Sequence, residues 1–305
     1  PASESWVAAL LEPDAGGYAL KLAKPTDDGL FWGAEIAQGR DESLAFDVAF
    51  GGEVGVVTWD DVTEDGERAV VVLATVTPDA LEGGERARTV SREEIDAELP
   101  RVVTHEGGFW LAYVARAPEH DDSAATDGDP EGPDSRFAAE RIQASWIELL
   151  PLDRQGEPTG TPRAVTPRDG HVLSYDLAIT SAGEAIVAWR DDDAPSGAHG
   201  GSVAVMVVEH SGAPQTQPVT DEEVGAGVPT LLPGWLAIHD ARGRIRLAPM
   251  DGAGVMQGPL QEEELLGLGQ LLAGVSNTFL LARPSGRSFD LTRAHCDPTI
   301  GVFRE

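Results

Sequence analysis

The sequence predicts an all-β protein: a β-propeller of about six blades, each of four antiparallel strands, folded as a single domain over residues 1–305. Three observations predict it. Apolar runs are short and broken by 35 Gly and 21 Pro, so strands fit and long helices do not. One four-strand unit recurs along the chain. The same residue types also return at the same place in the unit: Phe46-Asp47-Val48-Ala49 in one copy, Tyr175-Asp176-Leu177-Ala178 in another.

The first copy offers residues 6–10 and 18–25 as strands and lacks an inner strand. The second has a strand at 44–50, a Gly51-Gly52 turn, and a strand at 55–59. The third is the most complete. Residues 99–104, 109–114, 144–150 and 161–166 are its strands, and Pro162 confines the last to an edge. The fourth has strands at 173–179 and 185–189 about a turn at Gly183. The fifth has 228–232 and 235–240 about Pro233-Gly234, then 245–252. The sixth has 269–273, 279–282 and 288–293. Residues 299–303 complete the first blade or form the outer strand of the sixth, and pairing of the chain ends would close the ring. Residues 93–98 and 262–268 are each expected to form a helical turn.

Small four-stranded sheets must bury both faces. Stacking them radially about an axis does so and leaves only short edges. A β-sandwich is the alternative, but it gives no reason for a whole unit to recur. Five or seven blades remain open.

The 52 acidic against 22 basic residues leave a net charge of −30. That field repels polyanions, which argues against nucleic acid and anionic membrane as partners and leaves proteins, glycans and cations. Cys296 is the only cysteine, so neither an internal disulfide nor a cysteine zinc site can form. His295, Cys296 and Asp297 are adjacent on one strand and cannot all face one metal. No apolar run reaches membrane-spanning length. The chain opens at Pro1 without a signal peptide; the expectation is a removed leader or trimmed start, with a secreted, periplasmic or cell-surface location.

Val57-Thr58-Trp59-Asp60 and Val187-Ala188-Trp189-Arg190-Asp191 resemble the blade signature of secreted bacterial β-propellers with degenerate repeats. Asp27-Asp28-Gly29-Leu30-Phe31-Trp32 resembles in part the Asp-box of sialidase-like propellers, with Pro25 and Phe31 where Ser and Thr are usual. The first resemblance implies a fold in which the loops from second to third strands, and the links between blades, form the binding face. The second implies a structural turn between third and fourth strands, not a catalytic one.

Two site expectations follow from the residues. Aligning the first strands puts Asp47, Arg101, Asp176, Thr230 and Gln270 at one position. They are expected to ring the central channel, with Arg101 near an acidic partner, as structural polar wall or as a ligand or cation site. In the acidic loop 117–140, Asp127, Asp129 and Glu131 alternate before Gly132, which suits a Ca2+ site on a tight turn; a solvated acidic loop is the competing reading. Trp6, Trp59, Trp110, Trp189 and Trp235 fall in second strands at related positions, as packing between blades rather than sugar stacking.

No catalytic residue is assigned. Tyr18, Tyr113 and Tyr175 lie inside strands, and the Arg residues show no sialidase-like arrangement. No helical pair of His, phosphate loop or nucleophile elbow is present. The expected function is therefore an exported, non-enzymatic binding or scaffold propeller that holds protein, glycan or cation on its acidic loop face. The alternative is a propeller-type glycan-active hydrolase or lyase, which needs only two well-placed carboxylates.

Overall fold

A computed structural model describes residues 8–14, 17–26, 29–39, 45–77, 81–83, 87–117, 144–192, 201–209, 215–219, 227–239, 244–262, 270–272, 278–285, 288–297 and 302–304. Among them the chain forms six antiparallel sheets and no helix.

The first sheet is β1 (Ala8–Asp14), β2 (Gly17–Thr26) and β3 (Gly29–Gly39), in that order. The second runs β4 (Phe46–Gly51), β5 (Val54–Val62), β6 (Ala69–Thr77), β7 (Glu82–Gly83), with β8 (Arg88–Thr89) also on β6. The third is β9 (Asp96–His105), β10 (Gly108–Arg116), β11 (Ser145–Leu152) and β12 (Arg163–Ala164). The fourth is β13 (Val172–Ile179), β14 (Ala185–Asp191), β15 (Ser202–Val208) and β16 (Gln215–Pro218). The fifth is β17 (Val228–Leu232), β18 (Trp235–His239), β19 (Ile245–Pro249) and β20 (Gln261–Glu262). The sixth is β21 (Gln270–Leu272), β22 (Thr278–Ser285), β23 (Ser288–Asp297) and β24 (Val302–Arg304).

Each sheet is a meander, and local chemistry sets its turns. Asp153 Oδ1 accepts the N–H groups of Gln155 and Glu157, both at 2.9 Å, and Asp251 Oδ1 does the same for Ala253 and Val255 at 2.9 Å. An Asp that folds back on its own backbone closes the turn between third and fourth strands. Gly108 starts β10 at φ +148°, where an added Cβ would lie 2.2 Å from the Leu152 carbonyl oxygen; only glycine fits there.

The core is a series of layers between successive sheets. Leu20 and Leu22 of the first meet Val57, Trp59 and Val76 of the second. Val56 and Leu73 meet Phe109, Leu111 and Trp146 of the third. Trp110, Ile147 and Leu149 meet Leu177, Val187 and Trp189 of the fourth. Ile186 and Val205 meet Leu236 and Ile238 of the fifth. The second strands β5, β10 and β14 are therefore apolar on both faces, which is why no simple alternation marks them.

One expectation is corrected, one open choice is resolved and one expectation is refined. Asp96, Ala97 and Glu98 belong to β9, not a helical turn, because their backbone pairs with Val114, Ala115 and Arg116; of 262–268 only Glu262 is described, at the end of β20. The C-terminal strand lies on β23 as the outer strand of the sixth sheet and not on the first. The tryptophans occupy two registers rather than one. Trp59 and Trp189 sit one residue after the partners of Asp47 and Asp176, while Trp110 and Trp235 sit two before the partners of Arg101 and Thr230. An offset of three residues puts the two sets on opposite faces of their sheets. All four are buried, as packing requires, and Trp6 lies outside the described residues.

Candidate functional site at the propeller axis

The first strands place four of the five aligned residues at one register. Asp47 pairs with Thr58, Arg101 with Ala112, Asp176 with Ala188, and Thr230 with Ala237. Gln270 pairs with Ala282 in the corresponding strands of the sixth sheet. A small partner on the second strand recurs behind each of the last four, where the innermost strand carries the polar group.

The residues interlock from blade to blade. Asp47 Oδ2 accepts the Val102 N–H of the next sheet at 2.9 Å, and Asp176 Oδ2 accepts the Leu231 N–H of the next at 2.7 Å. Each aspartate also accepts the N–H of its own successor at 2.9 Å. Between the two stands Arg101, with Nε 4.0 Å from Asp176 Oδ1. The expected acidic partner of Arg101 is thus Asp176.

Burial, the largest influence, pushes Asp176 up to about 6; the Leu231 N–H, Arg101 and the Leu177 N–H oppose it, and the charge of Asp47 adds to it. Burial also raises Asp47, against the Val102 N–H, Arg101 and the Val48 N–H. Both carboxyls beside the one guanidinium have raised proton affinity, and Asp176, at about 6, can hold and release a proton in mildly acidic solution. Arg101 stays 44% exposed and Asp176 22%, so the group is reached by solvent.

Tyr175, beside Asp176, is buried. Its hydroxyl lies 2.7 Å from the Leu99 carbonyl and 2.8 Å from that of Ala112, and burial holds its pKa well above the ordinary value. Asp60 works from the other side: Oδ1 accepts the Ala45 N–H at 2.6 Å and Oδ2 the Leu99 N–H at 3.1 Å. Toward the 1–2 turns lies a cavity of about 520 Å³, walled by Val102, Leu177, Leu231 and Met250 among others, the first three each next in sequence to Arg101, Asp176 and Thr230.

A second cluster was not foreseen. Glu148 on β11 is fully buried and pairs with Arg92, whose Nε lies 3.1 Å from Oε2 and whose other nitrogen contacts Oε1. Tyr113 Oη lies 3.0 Å from Oε2, Trp146 Nε1 3.1 Å from Oε1, and Arg168 Nη2 3.6 Å from Oε1. Neither Tyr113 nor Glu148 reaches solvent, so this cluster staples the links on either side of the third sheet. Links and strands far apart in sequence supply its members, which hid it from sequence reading.

Asp127, Asp129 and Glu131 lie outside the described residues. Among the described residues no group of three or more His, Cys, Asp or Glu is placed to hold a metal, and no helix is long and apolar enough to cross a membrane. Asp27 and Asp28 of the partial Asp-box lie outside the described residues; Trp32, in β3, is half exposed.

No family model matches the chain, and no curated protein matches it. Solved structures do. An α-L-arabinanase of Penicillium chrysogenum bound to arabinobiose is 10% identical, with a TM-score of 0.57, over 98% of this chain and 91% of its own. An α-L-arabinofuranosidase of Fusarium graminearum is 9% identical, with a TM-score of 0.54, over 95% and 88%. A putative 6-phosphogluconolactonase of Bacteroides uniformis is 10% identical, with a TM-score of 0.54, over 93% and 76%. At this identity the likeness shows the fold, a β-propeller, and excludes the sandwich. The sialidase-like part of the resemblance finds no support. The expected non-enzymatic scaffold role is corrected here: the propellers that the chain resembles in fold include an arabinanase and an arabinofuranosidase.

Proposed function

We propose that the protein is a glycan hydrolase whose reacting sugar sits in the axial channel at Asp47, Arg101 and Asp176. The observation that carries this is a pair of aspartates of raised proton affinity on inner strands two blades apart, with Arg101 on the inner strand between them. The propeller likeness to α-L-arabinanase and α-L-arabinofuranosidase supports it and makes α-L-arabinofuranosyl linkages the first to test.

Asp176, with a pKa of about 6, supplies the proton. It goes to the glycosidic oxygen as the bond from that oxygen to the anomeric carbon breaks. Ionised Asp47 takes a proton from the water whose oxygen adds to the anomeric carbon. Arg101 donates hydrogen bonds to sugar hydroxyls and favours the ionised form of both acids. Thr230, at the same register, offers a further hydroxyl to the ring. The turn-side cavity is largely apolar and offers a sugar few partners, so the glycan arrives from the face of the blade links. Action on an external polymer fits the export expected from the sequence, which detection of the protein in culture medium tests.

The experiment is release of reducing sugar from arabinan, arabino-oligosaccharides and a panel of aryl glycosides. Release by the wild type that falls about 100-fold or more in Asp176→Asn supports the reading. No release from any substrate, or full activity in both Asp176→Asn and Asp47→Asn, overturns it.

A further inference from the structure

Three exposed apolar side chains stand near the starts of three successive inner strands. Leu99, Leu173 and Val228 lie on β9, β13 and β17, the first strands of three successive sheets. They precede Arg101, Asp176 and Thr230 by two or three residues, on the side of the blade links.

Bulges place two of them. On β9, Arg101 faces Ala112 and Glu98 faces Val114, so Leu99 and Pro100 share the one partner between. On β13, Ser174 faces Arg190 and Val172 faces Asp191, which leaves Leu173 as the extra residue. A bulge re-aims a side chain that a regular strand would tuck into the sheet stack.

Leu99 is also strained. Its φ is +54°, a conformation that a branched side chain adopts at a cost. Both neighbouring blades hold it there: Asp60 Oδ2 takes its N–H at 3.1 Å, and the Tyr175 hydroxyl lies 2.7 Å from its carbonyl. Burial gives no return for that strain, since Leu99 is 39% exposed and Leu173 50%.

We propose that Leu99 and Leu173, with Val228 beside them, form an apolar rim that packs against the C–H face of the sugar adjoining the one at the polar ring. They are specificity-determining residues that favour a chain of sugars over a single one. The inference rests on the glycan reading above. Sugar rings present hydroxyls at their edges and C–H groups on a face. The ring of Asp47, Arg101 and Asp176 suits the edges, and an apolar rim one step outside suits the face.

The test uses Leu99→Gly and Leu173→Ser, with steady-state kinetics on two- and four-residue arabino-oligosaccharides, calorimetric titration of the same sugars, and thermal melts. Glycine adopts φ +54° freely, so Leu99→Gly keeps the wild-type melting temperature. In each variant KM for the longer sugar rises about fivefold or more, with kcat held within about twofold. Unchanged KM in both variants of an active enzyme overturns the rim. If Leu99→Gly melts early, the exposed Leu173 decides through Leu173→Ser. If the wild type binds the sugars without cleaving them, the hydrolase reading falls, and the affinity of the two variants then decides the rim. Absence of both binding and turnover overturns both proposals.

Discussion

Asp47 reaches across from β4 to accept the Val102 N–H of β9 at 2.9 Å, so one side chain both lines the axis and ties two blades together. Asp176 repeats the arrangement two blades on, with Leu231 as donor. The same carboxylates that can do proton chemistry therefore tie successive blades together, and their two roles separate in measurement.

Removing Asp47 altogether leaves the Val102 N–H unpaired at a blade contact. Asp47→Ala is expected to lose about 1–3 kcal/mol of stability in urea unfolding. Asp47→Asn keeps an acceptor and loses less.

The elevated proton affinity of Asp176 sets a pH dependence. Its folded pKa of about 6 exceeds its ordinary 3.8, so between those values the folded state binds more protons than the unfolded. Stability from this group is greatest at low pH and declines as pH rises from about 4 to 6. Thermal melts across that window should show the decline in the wild type and a flatter profile in Asp176→Asn.

Activity should follow the same proton. Turnover needs Asp176 protonated and Asp47 ionised, so the rate falls above about pH 6 and again at low pH. Arg101 lowers both pKa values. In Arg101→Met both limbs of the pH–rate profile should move to higher pH.

The Glu148 cluster predicts a purely structural effect. Arg92→Ala leaves the fully buried Glu148 without its main counter-charge and should cost about 3–5 kcal/mol. Arg168, 57% exposed and 3.6 Å away, should cost less than about 1 kcal/mol when changed to Ala. Equal losses on chemical unfolding would contradict the assignment of Arg92 as the main partner.

The repeat was legible because each blade restates its inner strand. Asp47, Arg101, Asp176 and Thr230 share one register, and simple alignment found it. The bulges at Leu99 and Leu173 were not legible. Leu99 and Leu173 are apolar like the core residues of their strands, so the residue type does not mark them as the extra, outward-facing positions. Asp60 and Tyr175 meet Leu99 across 39 and 76 positions, and nothing local marks such bonds. The reaction class was hidden for another reason. Alignment set Asp47 and Asp176 beside Arg101, but their raised proton affinity comes from burial between successive blades, which no sequence spacing reports.

The most direct measurement is a crystal structure of Asp176→Asn soaked with an arabino-oligosaccharide. A sugar seated on the axis, with hydroxyls on Arg101 and its next residue against Leu99 and Leu173, is the expected result. A sugar bound only on the outer surface of the blades, or an empty channel at saturating ligand, would contradict the account.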